Sequence, residues 1–372
     1  MEAAVEIVTR ACKMARALQR RWCAGRTDGG NAAAVAKEDA SPVTVADFAV
    51  QSLVLGELHA LFPDDVFIAE EKSANLPRTA LEAEVRRWVQ QYERQPVSTD
   101  VRAAIDLGGH AGGHGGRVWV LDPVDGTKGF LRNQQFCIAL ALLERGQAQL
   151  GVLGCPNLPF QHEAQRIDSP YATSFAGEKC LTILNGDDGC VFYATRGGGA
   201  FMRPVEGAAG MPPPAPRQVH VNQNTDPSWA TLSESVERAH SSQDITGRVA
   251  SILGVRQRLG VDSQCKYGMM ARGEVCIFLR FPRIGYVENI WDHAAGYVVL
   301  QEAGGTVSDA YGADLDFGRG RKLLNARGIV ATNGRLHPAV LAAVQHVLAE
   351  EGKEQQQQQQ QEEEEEHMGK AP

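Results

Sequence analysis

The run Val118-Trp119-Val120-Leu121 passes without a break into Asp122-Pro123-Val124-Asp125-Gly126-Thr127. An apolar run of this length predicts a buried strand. Acids at the exit of a buried strand are costly unless something compensates them. The fold must therefore bring this strand end to a place where charge is held, and a bound cation would hold it. The Pro-Val spacer lets both carboxylates and the Val124 carbonyl turn toward one point. Hard oxygen ligands of this kind suit Mg²⁺, with water and phosphate filling the other positions. Gly126 and Thr127 open the next helix, whose backbone N–H groups suit a phosphate. Taken alone, the same turn reads equally well as a pair of capping aspartates.

Three further segments shift that balance. Glu70-Glu71 ends the short strand predicted at 66–69. Thr44 is a predicted N-cap, and Asp47 stands three residues later, in the first turn of a helix to about Leu61. Asp292 follows Trp291 and opens Asp292-His293-Ala294-Ala295-Gly296. Four segments that each bring an acid to an element end favour one site over four separate caps. There is no Ser-His-Asp elbow, and metal-activated water is the natural reagent for a phosphate ester. The absence of G-x-x-x-x-G-K-[ST] sets a nucleoside triphosphate loop aside. His110 and His114 lie in a glycine-rich loop without a carboxylate at metal spacing. The eight cysteines contain no C-x-x-C pair, so a structural zinc site is not expected.

Charge narrows the partners. The formal charge is -8, but residues Glu350–Pro372 hold eight acids and two bases, which leaves about -2 for the rest. No general basic field suits nucleic acid. An anionic ligand must meet local cations. No apolar run reaches membrane-spanning length. The first residues lack a basic segment followed by an apolar one, so no secretory signal is expected. A reduced, cytoplasmic setting is the default expectation, with an organelle such as a plastid or mitochondrion left open.

The periodicity predicts helices over 2–24, 79–94, 243–254, 265–271, 292–303 and 337–350. Strands are predicted at 118–121, 136–144, 147–154, 190–195, 258–262, 274–279 and 328–331. The expected division is an α+β part over 1–175, an α/β part over 176–349 and a Gln/Glu tail over 350–372. The tail is expected to be disordered or a frayed helical extension.

Trp119 to Phe130 and Trp291 to Gly296 resemble the two signatures of the lithium-sensitive inositol monophosphatase superfamily. Ser41 to Phe48, Gly151 to Pro159, Ala239 to Ser242 and Asp262 to Tyr267 are similar to its 3′(2′),5′-bisphosphate nucleotidase branch. The resemblance implies an α-β-α-β-α sandwich with the site between its two parts. It implies two or three Mg²⁺ ions held by Glu70, Asp122, the Val124 carbonyl, Asp125 and Asp292. It implies Asp47 and Thr127 as the pair that positions and deprotonates the attacking water. It also implies hydrolysis of the 3′-phosphate of 3′-phosphoadenosine 5′-phosphate and its sulfated relative. Gly126, Thr127, His240, Ser263, Lys266, Arg280 and Asp292 are the expected substrate contacts, with Lys266 foremost for the second phosphate. An inositol polyphosphate 1-phosphatase is the alternative enzyme, and a bisphosphate sensor without catalysis is the alternative of another class. A small-molecule bisphosphate is the expected partner, without nucleic acid or membrane, and a monomer is slightly favoured.

Overall fold

The computed structural model describes the chain apart from residues 28–34, 37–41, 78–79, 95–99, 162–172, 176–177, 183–185, 187, 207–213, 237–242, 284, 325–326 and 369–372. Two seven-stranded sheets dominate it. The first runs, edge to edge, through Arg217–Val219, Ala200–Pro204, Cys190–Thr195, Gln147–Cys155, Cys137–Glu144, Arg117–Asp125 and Val66–Ala69. Its pairs are antiparallel except the last, where Val66–Ala69 lies parallel to Arg117–Asp125. The second sheet is mixed. It runs through Thr306–Asp309, Ile329–Thr332, Ile277–Arg280, Thr231–Glu234, Gln257–Gly260, Glu178–Thr182 and Thr173–Phe175.

Strand alternation explains why the first sheet is apolar on both faces. Side chains of a strand point to opposite sides at a period of two. Trp119 and Leu121, with Ile138, Leu140 and Leu142, face the helices Glu2–Thr27 and Val45–Leu61. Val118 and Val120, with Cys137, Ala139, Ala141 and Leu143, face the helices Cys265–Ala271 and Ala294–Glu302. A third cluster joins the second sheet to the helices Gln243–Leu253 and His337–Met368 through Leu232, Ile277, Val249, Val340 and Val344. The order is thus helices, sheet, helices, sheet, helices, which agrees with the expected α-β-α-β-α sandwich.

The middle helix Ala294–Glu302 comes close on both sides. A Cβ added to Gly151 would stand 2.3 Å from the Ala295 carbonyl oxygen, and one added to Gly296 would stand 2.2 Å from the Tyr267 ring. Helix propensity alone favours alanine over glycine by about 1 kcal/mol. Overpacking costs about 1–3 kcal/mol, and the Tyr267 ring is fully buried, so it has nowhere to go. Gly296→Ala is therefore expected to lower stability by about 2 kcal/mol, seen as an earlier midpoint in urea denaturation.

Several elements depart from the sequence expectation. The strand Arg117–Asp125 takes in the whole Asp-Pro-Val-Asp segment, with a bulge between Asp122 and Asp125. Sheet membership does not change at residue 175: Thr173–Phe175 and Glu178–Thr182 lie in the second sheet, while Cys190–Val219 adds three strands to the first. The last helix runs His337–Met368, past the predicted end at 350 and through the Gln/Glu tract, which takes the helical of the two forms expected for it. Glutamine and glutamate are good helix formers, and an extension of an existing helix needs no new nucleus. Among the described residues, no helix is long and apolar enough to cross a membrane.

Candidate active site

The parallel pairing of the first sheet sets the site. Ala69 is the register partner of Leu121, so the next residues, Glu70 and Asp122, emerge side by side. Buried Gln51 fixes this end of the chain: it accepts from the Glu71 N–H at 2.9 Å and donates to the Glu71 and Ile105 carbonyls at 2.8 and 2.9 Å. The bulge after Asp122 re-aims the chain so that Asp125 also faces inward, as bulges beside active sites do. Gly126 follows at φ 89° and caps the five-residue helix Thr127–Leu131. That left-handed turn favours glycine, and Ser263 packs against it.

A concavity of about 170 Å³ opens here, and its walls include Glu70, Asp122, Val124, Asp125, Gly126, Thr127, Ser263, Lys266, Arg280 and Asp292. Every site residue expected from the sequence is in this wall except Asp47 and His240. Asp47 is fully buried in a capping box. Its Oδ2 accepts from the Thr44 N–H at 2.8 Å and the Thr44 hydroxyl at 2.5 Å. The N-cap reading of this segment therefore holds in the structure. His240 lies outside the described residues.

Asp292 ends the one-turn 3₁₀ helix Ile290–Asp292, and its Oδ2 accepts from the Asn289 N–H and side-chain amide, both at 3.2 Å. Burial, the neighbouring Glu288 charge and Asp125 push its carboxyl well above the usual range. Burial also raises Asp125 to about 6, against the pull of Lys266 and of the Gln264 N–H, which donates to Asp125 Oδ2 at 2.6 Å. Among the described residues, no three of these carboxylates bring an oxygen each within 4.8 Å of one another. They ring the concavity. Buried acids such as Asp125 and Asp292, which resist ionisation in a shared cavity, fit hard divalent cations, which would remove the repulsion.

The cations in the wall are already engaged. Arg280 Nε donates to Glu288 Oε1 at 2.6 Å. The Lys266 ammonium is buried. It donates to the Val261 carbonyl at 3.0 Å and lies 5.1 Å from the centre of the Phe278 ring. The Ser263 hydroxyl accepts from the Cys265 N–H at 3.2 Å, just before the helix Cys265–Ala271. Thr127 Oγ1 donates to the Val124 carbonyl at 3.2 Å.

Sequence reasoning missed the residues that hold these groups in place. Glu288 is 1% exposed and faces both Arg280 and His293, and His293 Nδ1 is 2.9 Å from the Tyr267 hydroxyl. Arg321 donates to the Ala69, Gly108 and His110 carbonyls and lies over the Trp291 ring at 4.8 Å. One side chain thus ties the segments that present Glu70 and Asp292. Arg132 bonds Asp262 at 2.6 Å and so joins the helix after Thr127 to the Asp262–Tyr267 wall. The Trp291-Asp292 signature pointed to this region, but the loop positions 286–289 and 321 carry no periodic signal.

Residues 1–349 match the inositol monophosphatase family. The chain is 40% identical over 373 residues to a 3′(2′),5′-bisphosphate nucleotidase of Oryza sativa, covering 95% of each. It is 38% identical over 329 residues to one from Emericella nidulans, covering 84% of this chain and 90% of that protein. Among solved structures, the Thermotoga maritima IMPase superposes with a TM-score of 0.57 at 22% identity, over 92% of this chain and 96% of that one. An inositol monophosphatase from Anabaena gives 0.53 at 18%, over 93% and 95%. At these identities the two structures speak for the fold alone.

Proposed function

The chain belongs to the inositol monophosphatase family, and we propose that it is a Mg²⁺-dependent 3′(2′),5′-bisphosphate nucleotidase. The reading is that it removes the 3′-phosphate of 3′-phosphoadenosine 5′-phosphate, and of its 5′-phosphosulfate relative, to leave the 5′-nucleotide and phosphate. The observation that carries this is the ring of Glu70, Asp122, Asp125 and Asp292 around a concavity walled also by Lys266 and Arg280. Acids to hold metal stand there beside cations to meet a second phosphate. The likeness to curated bisphosphate nucleotidases supports the same choice.

Glu70, Asp122, Asp125, Asp292 and the Val124 carbonyl would hold two or three Mg²⁺ ions. When bound, such ions supply Lewis acidity toward water and the phosphoryl oxygens. The protein's own part is orientation and proton handling. In this reading the Thr127 hydroxyl aligns the attacking water and Asp47 takes up its proton. That requires Asp47 to share its carboxylate between the Thr44 cap and the catalytic pair, since the capping bonds use Oδ2. Lys266 and Arg280 face the second phosphate with charge, Gly126 leaves room for the first, and Ser263 and His240 complete the substrate side. Arg280, fixed by Glu288, would meet it at little further loss of side-chain entropy.

Phosphate release tests the reading. With Mg²⁺, 3′-phosphoadenosine 5′-phosphate is expected to be hydrolysed in preference to inositol 1,4-bisphosphate and inositol 1-phosphate. Asp47→Asn is expected to lower that rate by roughly 10²–10⁴-fold. Preference for an inositol phosphate would leave the acids their role and refute the nucleotide pocket. No release from any of the three would sink the enzyme reading.

A further inference from the structure

Beneath the acid ring, the fold brings together three thiols that are far apart in sequence. Cys137 opens the strand Cys137–Glu144, Cys155 ends the neighbouring strand Gln147–Cys155, and Cys265 opens the helix Cys265–Ala271. All three are fully buried, and their sulfurs all lie within 4.8 Å of one another. Cys137 and Cys155 Sγ stand 3.9 Å apart. Sulfurs held about 2.3 Å from one zinc ion, at angles between tetrahedral and trigonal, stand about 3.8–4.0 Å apart. One pair already has that spacing, and the third sulfur needs to close by no more than about 1 Å.

Charge and ligand softness agree. Three thiolates around a divalent ion carry one net negative charge. The buried Lys266, next to Cys265 in sequence, supplies one positive charge. Thiolates select borderline and soft ions and pass over Mg²⁺, so these sulfurs and the carboxylate ring would not compete for one metal. The spacing arguments that set zinc aside in the sequence apply to ligands close in the chain, and these ligands are brought together by the tertiary fold.

The cluster is also joined to the site by backbone. Cys137 is the ladder partner of Asp125. Gln264, directly before Cys265, donates its N–H to Asp125 Oδ2. Drawing the sulfurs onto an ion would pull on both segments that position Asp125.

We propose that Cys137, Cys155 and Cys265 form a three-thiolate site for a borderline or soft divalent cation, best fitted by zinc, whose filling displaces Asp125 and lowers activity. Binding releases to solvent the protons that the thiols carry. The site is independent of which phosphate ester is the substrate.

Cadmium is the probe, because its bonds to thiolate absorb in the ultraviolet. Cd²⁺ is titrated into the full chain with Mg²⁺ in excess. The expected result is a thiolate-to-cadmium band that saturates at one ion per chain, with release of the thiol protons in weak buffer and a parallel fall in phosphate release. Cys155→Ser is expected to lose most of the band and the sensitivity to cadmium. Cys276→Ser, in the cluster on the far side of the second sheet, is expected to keep both. No band at one equivalent in the parent protein overturns the site, and this needs no variant to fold. A band that survives in Cys155→Ser does the same. Inhibition that persists without the band assigns cadmium to the carboxylates and overturns the proposal. A band with undiminished activity overturns the coupling to Asp125.

Discussion

Asp125→Asn is expected to lower kcat for 3′-phosphoadenosine 5′-phosphate by about three orders of magnitude, roughly 4 kcal/mol in the barrier, while leaving the chain folded. The variant keeps an oxygen that can accept from the Gln264 N–H, so the local bond survives. What it loses is a negative charge at the wall of the concavity. The same change is expected to hold or raise the melting temperature in metal-free buffer at neutral pH. Burial lifts the Asp125 carboxyl from 3.8 to about 6 in the folded chain. The folded state therefore holds the proton more tightly than the unfolded state. The resulting penalty is absent below the unfolded value, grows between the two, and is full above about 6. Asparagine removes it. Mg²⁺ is expected to raise the melting temperature of the parent protein more than that of the variant, because binding to the folded state alone stabilises it. An unchanged kcat would remove Asp125 from the ligand set.

Glu288→Ala is expected to cost about 3–5 kcal/mol of stability at neutral pH, the range for breaking a buried pair from one side. It would leave the Arg280 guanidinium in the wall without its carboxylate. Burial alone would raise the Glu288 carboxyl, but Arg280 and His293 hold it at about 2, below its ordinary 4.5. The folded state thus binds this proton less tightly than the unfolded chain. Its stabilisation is full above about 4.5 and is lost as pH falls through about 2. Urea unfolding of parent and variant is expected to differ most at neutral pH, with the gap narrowing across that acid window. A gap that does not change with pH would mean that Glu288 acts through packing and not charge.

Much of the site was legible in the sequence because its acids sit at the ends of strongly patterned elements. The apolar strand before Asp122, the strand before Glu70 and the helix signal after Asp292 each mark a boundary, and boundaries are where a buried site can collect charge. The Thr44–Asp47 capping box was legible for the same local reason. The supporting residues were not. Glu288 and Arg321 lie in irregular segments, and their roles depend on which carbonyls and cations the fold brings near. The strands Arg217–Val219 and Thr173–Phe175 are three residues each, too short for alternation to register. The thiol cluster was hidden because its members share no local spacing, only a place in the middle layer.

The interleaving of the two sheets limits how the molecule can be cut. Strands Thr173–Thr182 enter the second sheet before Cys190–Val219 complete the first. A fragment ending near residue 185 would carry a first sheet short of three strands and only two strands of the second. Its complement would hold those three strands with no sheet to join. A break near residue 185 therefore does not yield two self-sufficient pieces, and anyone dividing the protein there for split-reporter work should plan on fragments that recover a fold only when brought together.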